Sequence, residues 1–353
     1  MKFSLFVHME RNDPAKPHSE LLDELVELVE IAEAGGFEIA WVGEHHGMEF
    51  TIAPNPFIYI THLAQKTTTI RLGTGTVVAP FWHPLKLAGE AGLTDIITDG
   101  RLELGIARGA YQFEFDRLCD GMPGPEGGAH LREIIPAIKG LWSKNYTHKG
   151  EIWNFPETTP SPLPLQQPHP PIWVAARDIS SHEFAVENDC NVMITPLWKG
   201  DEEVDDLMRK YNEALAKNPG KLRREVMLCK HTHMVENERE AQDAAKQFNK
   251  YFNYFGAWFM NKRPIQDGFI EPLSEEELAA NPMYAPDVMR RDLLIGTPEE
   301  VITRLRLYES WGVDQFSYWI DNGYPHEEKK KSLIRFIEHI VPVMSGEPAR
   351  KAS

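Results

Sequence analysis

The stretch "IRLGTGTVVAPFWHPLKLAGEAGLTDIITDGRLELGIARG", residues 70–109, decides the fold because it contains two apolar runs separated by a helix signal. The runs at 70–80 and 101–109 are typical of buried strands. Between them, Pro84 stands near the first turn and Gly100 at the end, which are the positions these residues favour in helices. The stretch therefore predicts a strand–helix–strand unit, the building block of parallel sheets.

The same alternation extends through the rest of the chain. Further apolar runs predict strands at 2–9, 37–43, 172–176, 191–198, 225–235 and 313–320. Eight strand–helix units predict an α/β fold, a TIM (β/α)8 barrel formed by a single domain over residues 1–353. A doubly wound sheet is the alternative, although no GxGxxG turn follows the first strand.

Two segments are longer than ordinary connections between barrel elements. Residues 110–170 contain one predicted helix and a hairpin, and residues 256–292 are interrupted by several prolines and are predicted to be irregular. Long connections in compact domains are often lids or binding loops. We therefore expect insertions after strands four and seven, with the second acting as a lid.

Composition limits the classes of function. The net charge of −16 argues against binding to nucleic acid or to an anionic membrane. The three cysteines, Cys119, Cys190 and Cys229, lack the spacing of a disulfide framework or a zinc cage. Charges interrupt the N-terminal apolar run before a signal-peptide core forms, and no run is long enough to span a membrane. These features predict a cytoplasmic protein.

Chemically active residues follow the predicted strands, at the end of a TIM barrel where active sites lie. They comprise imidazoles, aromatic rings, and arginine with hydroxyls: Glu44, His45, His46, Phe81, Trp82, Arg108, Tyr111, Arg177, Ser180, Ser181, Trp198, His231, His233 and Trp319. Together they suit a flat aromatic ligand with an anionic tail. Each also has a structural interpretation, since serines cap helices, arginines form ion pairs and aromatic rings pack in cores.

The segment "AWVGEHHGMEF", residues 40–50, presents three adjacent acid–base residues. Successive strand residues point to opposite sides, so His45 and His46 are not expected to enter the same site. The EHH order also lacks the helical spacing with which HExxH brings metal ligands together. Acid–base catalysis and a structural role for one histidine are therefore favoured over metal binding.

These motifs carry a family resemblance. In their order along the chain, "MKFSLF", "WVGEHHG", "GTGTVV", "HPLKLAGEAGLTDIITDGRLELGIARGAY", "GTPEEV" and "WGVDQF" make the sequence similar to the bacterial luciferase-like flavin monooxygenases over nearly its whole length. The resemblance implies reduced FMN supplied by a separate NAD(P)H:flavin reductase. It also implies oxidation of a small, largely apolar substrate by O2 through a flavin 4a-peroxide, and a homodimer.

The resemblance also implies roles for single residues. His45 matches the catalytic base, and Glu44 matches the partner that orients it or contacts the ring system. Gly75–Thr76 matches a cis peptide bond beneath the flavin ring. The implied cofactor contacts are Gly75, Thr76, Ala107, Arg108, Tyr111, Ala175, Ser180 and Ser181. The candidate substrate contacts are Phe81, Trp82, Trp198, His231 and His233.

The sequence departs from the family pattern at several positions. Ala107 stands where bacterial luciferase has a reactive cysteine, so light emission is not implied. Arg177 and Asp178 replace an acidic–hydroxyl pair near the phosphate, and Arg132 is the candidate second phosphate arginine. A deazaflavin-dependent dehydrogenase, a non-catalytic flavin-binding protein and a metal hydrolase remain as alternatives.

Overall fold

A closed barrel of eight parallel strands forms the centre of the computed structural model, which describes residues 1–143, 145–197, 199–260 and 262–346. The strands are β1 (Lys2–Val7), β2 (Ile39–Val42), β3 (Arg71–Val78), β4 (Leu102–Ala107), β5 (Ile172–Ala175), β6 (Asn191–Ile194), β7 (Val226–Met234) and β8 (Gln315–Trp319). Each strand pairs with the next along the chain, and β8 pairs with β1 to close the barrel. The predicted TIM barrel is confirmed.

Helices surround the barrel on its outer side. They are α1 (His18–Ala34), α2 (Pro56–Ala64), α3 (Pro84–Ile97), α4 (Gln112–Leu118), α5 (Gly127–Ser143), α6 (Ile179–Glu187), α7 (Gly200–Lys217), α8 (Glu238–Met260), α9 (Glu275–Ala280), α10 (Pro286–Asp292), α11 (Pro298–Ser310), α12 (His326–His339) and α13 (Val341–Ser345). Among the described residues, no helix combines the length and the apolar character needed to cross a membrane.

The strand residues divide between two cores because alternate side chains point to opposite sides of the sheet. Leu5, Leu72 and Leu104 face the helices. Trp41 and Trp173 belong to the inner cluster, where their rings meet edge to face at 5.4 Å. These two rings fill the interior together with other strand residues of the inner cluster, such as Ile39 and Met227, and the cavity opens at the carboxyl ends of the strands.

The segment 256–292 was predicted to be irregular, and that prediction is wrong. Helix α8 runs to Met260, a short hairpin pairs Ile265–Gln266 with Phe269–Ile270, and α9 and α10 follow. The prolines were interpreted as breakers, but Pro286 stands in the first turn of α10, where its missing N–H costs nothing.

Two further elements were not predicted. Helix α4 lies in the segment 110–170, together with the predicted helix, α5, and the predicted hairpin of Tyr146–Lys149 with Asn154–Thr158. A three-residue strand, Leu294–Gly296, pairs in parallel with β7 outside the barrel order. Both are too short for hydrophobic periodicity to identify them.

Candidate active site

A cavity of about 630 Å³ opens at the carboxyl ends of the barrel strands. Every strand, or the segment directly after it, contributes to its wall: Phe6, His8, Glu44, His45, Gly75, Thr76, Val78, Ala107, Arg108, Tyr111, Ala175, Ala176, Ser180, Ser181, Met193, Thr195, Met227, Cys229 and Trp319. Helix α8 adds Phe255 and Phe259, and α5 adds Arg132. The volume is within the range of small-molecule and cofactor sites.

The structure brings together the residues predicted to act in catalysis and in cofactor binding. Glu44, His45, Gly75, Thr76, Ala107, Arg108, Tyr111, Ala175, Ser180 and Ser181 all line the cavity. The candidate substrate contacts are placed differently. Phe81, Trp82, His231 and His233 are not in the wall of this cavity. Trp198 lies outside the described residues.

The partner of His45 is Glu114, which the sequence did not reveal. His45 Nδ1 lies 3.1 Å from Glu114 Oε2. The second oxygen of the same carboxylate accepts the backbone N–H of His46 at 2.7 Å. Helix α4 places Glu114 there, with only 1% of the residue exposed. The arrangement fixes the ring of His45, and its other nitrogen, Nε2, bonds to no residue that the structure describes.

Glu44 was expected to orient His45, but in the structure it holds a different set of groups. Its carboxylate accepts the backbone N–H of Val78 at 2.6 Å and the indole N–H of Trp82 at 2.9 Å. His46 Nε2 lies 2.9 Å from its Oε1. Glu44 therefore ties β2 to the end of β3, and its histidine partner is His46.

His46 lies outside the cavity in a structural role, as expected for one of the two adjacent histidines. Its ring packs edge-on against Phe81 at 5.4 Å and is not in the cavity wall. Burial opposes protonation of this ring, but the hydrogen bond and charge of Glu44 outweigh it and raise the pKa of His46 above its usual range. His46 is thus held as an ion-pair partner of Glu44.

The two β7 histidines stand behind the cavity wall. His231 stacks on Trp319, with ring centroids 3.7 Å apart, and its Nδ1 lies 2.9 Å from the backbone oxygen of Asp321. His233 stacks on Tyr324 at 4.5 Å. His231 thus supports a wall residue, Trp319, from the side away from the cavity.

Polar groups cluster at the side of the cavity formed by the ends of β4 and β5. Asp178 caps α6 by accepting the N–H of Ser181 at 2.8 Å, and Arg132 donates to the hydroxyl of Ser180 at 2.8 Å. Burial raises the pKa of the Asp178 carboxyl, but hydrogen bonds from Ser180 and Ser181 and the charge of Arg108 bring it below its usual range.

The arginines at this polar side differ in whether their guanidinium groups are already hydrogen-bonded. Arg177 donates to the backbone oxygen of Thr195 and to Glu203, so its guanidinium is already engaged. Arg108 is exposed and makes no hydrogen bond with any described residue. Because a helix N-terminus also attracts negative charge, Arg108, Arg132 and the start of α6 are groups that could hold an anion, and they are named here the anion-binding region.

The middle of the cavity is formed by backbone on one side. The Gly75–Thr76 peptide bond is cis, as expected, and the pairing of β3 with β4 shifts register between Thr74 and Val77. A Cβ atom on Gly75 would lie 3.0 Å from both Phe6 and Trp41. Glycine is therefore the residue that fits between the inner core and the cavity.

Glu114→Gln is expected to lower the rate of substrate oxidation by about tenfold or more, because the imidazolium form of His45 would lose its adjacent negative charge. Glutamine still accepts the backbone N–H of His46, so the loop should remain folded. Steady-state turnover measures the effect. Asp116→Asn, an exposed carboxylate on the same helix, is the matched control. Equal activity in both variants would contradict the pairing of Glu114 with His45.

Comparison with known proteins agrees with the fold. The luciferase-like monooxygenase family matches residues 1–315. The oxygenase component of the flavin-dependent trigonelline monooxygenase of Acinetobacter baylyi is 57% identical over 345 residues, covering 98% of this chain and 96% of that protein.

Solved structures are also similar. The monooxygenase RslO1 of Streptomyces bottropensis superposes with a TM-score of 0.81 at 27% identity, covering 97% of this chain and 99% of that one. The oxygenating constituent of 3,6-diketocamphane monooxygenase of Pseudomonas putida was solved in complex with FMN. It superposes with a TM-score of 0.76 at 20% identity, covering 97% of this chain and 98% of that one. At this identity the similarity supports the fold alone. The chain belongs to the luciferase-like monooxygenase family, which confirms the expected flavin-dependent monooxygenase on a TIM barrel.

Proposed function

We propose that this protein is the oxygenase component of a two-component system that uses reduced FMN and O2 to oxidise a small N-methylated pyridine carboxylate, trigonelline or a close analogue. One cavity combines the anion-binding region with His45, whose ring is held by Glu114, and this combination supports a flavin and a proton-transfer group in one site. The 57% identical relative is named for trigonelline and as an oxygenase component, which supports both the substrate class and a partner reductase.

The polar side of the cavity suits the phosphate of FMN. Arg108 has no competing hydrogen bond among the described residues, Arg132 is held by Ser180, and α6 presents its N-terminus there. A phosphate would gain charge-assisted hydrogen bonds from these groups. The backbone at Gly75–Thr76 and the small side chains of Ala107 and Ala175 leave room for a flat ring system between the strand ends.

Bound reduced FMN would supply two electrons to O2, and the substrate would supply the other two, so that one oxygen atom would enter the substrate and the other would leave as water. His45 is placed to move a proton through Nε2, since Nδ1 faces Glu114. An imidazole suits this role because its pKa lies near neutrality. Phe255, Phe259 and Trp319 exclude water from the inner wall.

The inner wall also fits the proposed substrate. Trigonelline is a planar pyridinium ring that carries an N-methyl group and a carboxylate. The aromatic faces of Tyr111, Phe255, Phe259 and Trp319 favour a flat cation through cation–π attraction. The substrate ring would therefore be surrounded by apolar groups even though the molecule itself is a zwitterion.

Turnover with isotopically labelled O2 tests the proposal. The protein is mixed with FMN, NADH, a generic flavin reductase and trigonelline, and products are analysed by mass spectrometry. We expect a product that carries one labelled oxygen and depends on FMN. A parallel assay with a reduced deazaflavin in place of FMN separates the two cofactor classes. Substrate conversion with the deazaflavin alone, or no labelled product with FMN, would overturn the proposed function.

A further inference from the structure

His8 is a buried imidazole in the cavity wall that the proposed reaction has not used. It directly follows β1, is 7% exposed, and lines the cavity. Its ring meets that of His45 edge to face at 5.6 Å and that of Trp319 at 4.9 Å. Its backbone N–H donates to Asp321 at 2.7 Å, which fixes the main chain at this point.

Neither ring nitrogen of His8 hydrogen-bonds to a described residue. Nδ1 is buried and lies 3.6 Å from Glu10 Oε1, longer than a hydrogen bond and within the range of an ion pair. Buried polar atoms are almost always paired, so an unpaired one calls for an explanation. With Nδ1 directed to Glu10, Nε2 is the nitrogen available to a molecule in the cavity.

Glu10 is buried behind His8 in a surrounding that favours a proton on its carboxyl. Burial and the charge of Asp321 raise the pKa of Glu10 well above its usual range, against the opposing effects of Lys329 and Tyr251. Burial, His45 and His231 lower the pKa of His8. Both shifts in pKa favour the uncharged forms, a neutral imidazole at His8 and a protonated carboxyl at Glu10.

The position of His8 on the barrel separates it from the anion-binding region. The strand order places β1 beside β2 and β8 and across the barrel from β5. Arg108, Arg132 and the start of α6 lie after β4 and β5. An anionic group at His8 would therefore not compete with a phosphate held by the arginines.

We propose that His8, backed by Glu10, binds a carboxylate substituent of the aromatic substrate. This inference rests on the proposed function and assigns the substrate subsite within it. His8 in its Nε2–H tautomer donates to the ligand carboxylate, and its Nδ1 lone pair faces Glu10. Closing the 3.6 Å gap to hydrogen-bond distance lets the Glu10 proton pass to Nδ1, which makes His8 an imidazolium and strengthens the bond to the ligand. Tyr251 already donates its hydroxyl to Glu10 and stabilises the carboxylate that the transfer leaves, while the net charge of the pair stays the same.

Binding measurements with matched aromatic probes test this subsite. Dissociation constants are measured by calorimetry on protein carrying oxidised FMN, with trigonelline against N-methylpyridinium and nicotinate against pyridine. One charge-assisted hydrogen bond corresponds to a preference of about 10- to 100-fold for each acid over its partner. His8→Phe keeps the ring packing without the nitrogens and should lose this preference, while affinity for N-methylpyridinium changes little. His8→Ala is the second variant, and Glu10→Gln should lower the preference because glutamine has no proton to transfer.

His148→Ala is the matched control, since His148 is also 7% exposed and also pairs with a glutamate, Glu133, away from the cavity. It should keep the preference for the acids. A wild-type protein without this preference, or a His8→Phe variant that retains it with FMN bound, would overturn the subsite. The reaction of the reduced flavin with O2 is measured separately on the wild-type protein. A normal reaction with O2, together with equal affinity for each acid and its uncarboxylated partner, would overturn the subsite alone. An acid preference without that reaction would overturn the proposed function alone.

Discussion

His45→Ala should reduce substrate oxidation by about 100-fold or more, because general acid–base groups contribute about 10²- to 10⁴-fold to enzymatic rates. The imidazole lines the cavity and is fixed by Glu114, so its loss removes the proton-transfer group without opening the barrel core. Steady-state product formation at saturating substrate measures the effect. Flavin binding, followed by fluorescence quenching, should remain largely unchanged.

His46→Ala is the matched control for His45→Ala. His46 is adjacent in sequence but contacts Glu44 and Phe81 and is not in the cavity wall. Its loss leaves Glu44 with the N–H groups of Val78 and Trp82, so the variant should lose some stability and keep most of its activity. A larger loss of turnover in His46→Ala than in His45→Ala would show that the base has been assigned to the wrong histidine.

Arg108→Ala should weaken FMN binding by about 10- to 100-fold, the value of one charge-assisted hydrogen bond to a phosphate. Riboflavin has the same ring system without the phosphate, so its affinity should hardly change. The ratio of the two dissociation constants therefore reports phosphate recognition itself. Turnover at saturating FMN should largely recover, because Arg108 makes no contact with the His45–Glu114 pair in the described residues.

Arg177→Ala offers the comparison for Arg108→Ala. Arg177 lines the same side of the cavity, but its guanidinium is already bonded to Thr195 and Glu203. Its loss should affect stability more than the preference for FMN over riboflavin. If Arg177→Ala abolished that preference and Arg108→Ala did not, the phosphate would be held by a different set of groups.

The barrel could be predicted because its strands are apolar runs at regular spacing with helices between them. Strand ends then indicated which side chains share a site, and this brought Glu44, His45, Arg108 and Ser180 together correctly. The same rule applied to His8, which directly follows β1. It was passed over because its sequence neighbours carry no recognisable motif.

The carboxylate partners could not be predicted from local pattern. Glu114 reaches His45 from 69 positions away. Its neighbours Phe113 and Phe115 are also buried, so "FEF" has the alternation of a strand although it lies in a helical turn. Hydrophobic periodicity locates buried apolar residues, but it does not show that a charged residue such as Glu114 is buried. The exchange of partners, Glu44 with His46 and Glu114 with His45, depends on how α4 packs against the segment that follows β2.

In a flavin-dependent oxygenase of this kind, bound reduced flavin should react with O2 in the cavity. The most direct test is stopped-flow mixing of the protein with reduced FMN against oxygenated buffer, with the absorbance of the flavin followed over time. We predict a flavin 4a-peroxide spectrum that persists without substrate and decays faster when trigonelline is added. Direct conversion to oxidised FMN, at the same rate as free flavin and unaffected by trigonelline, would contradict it.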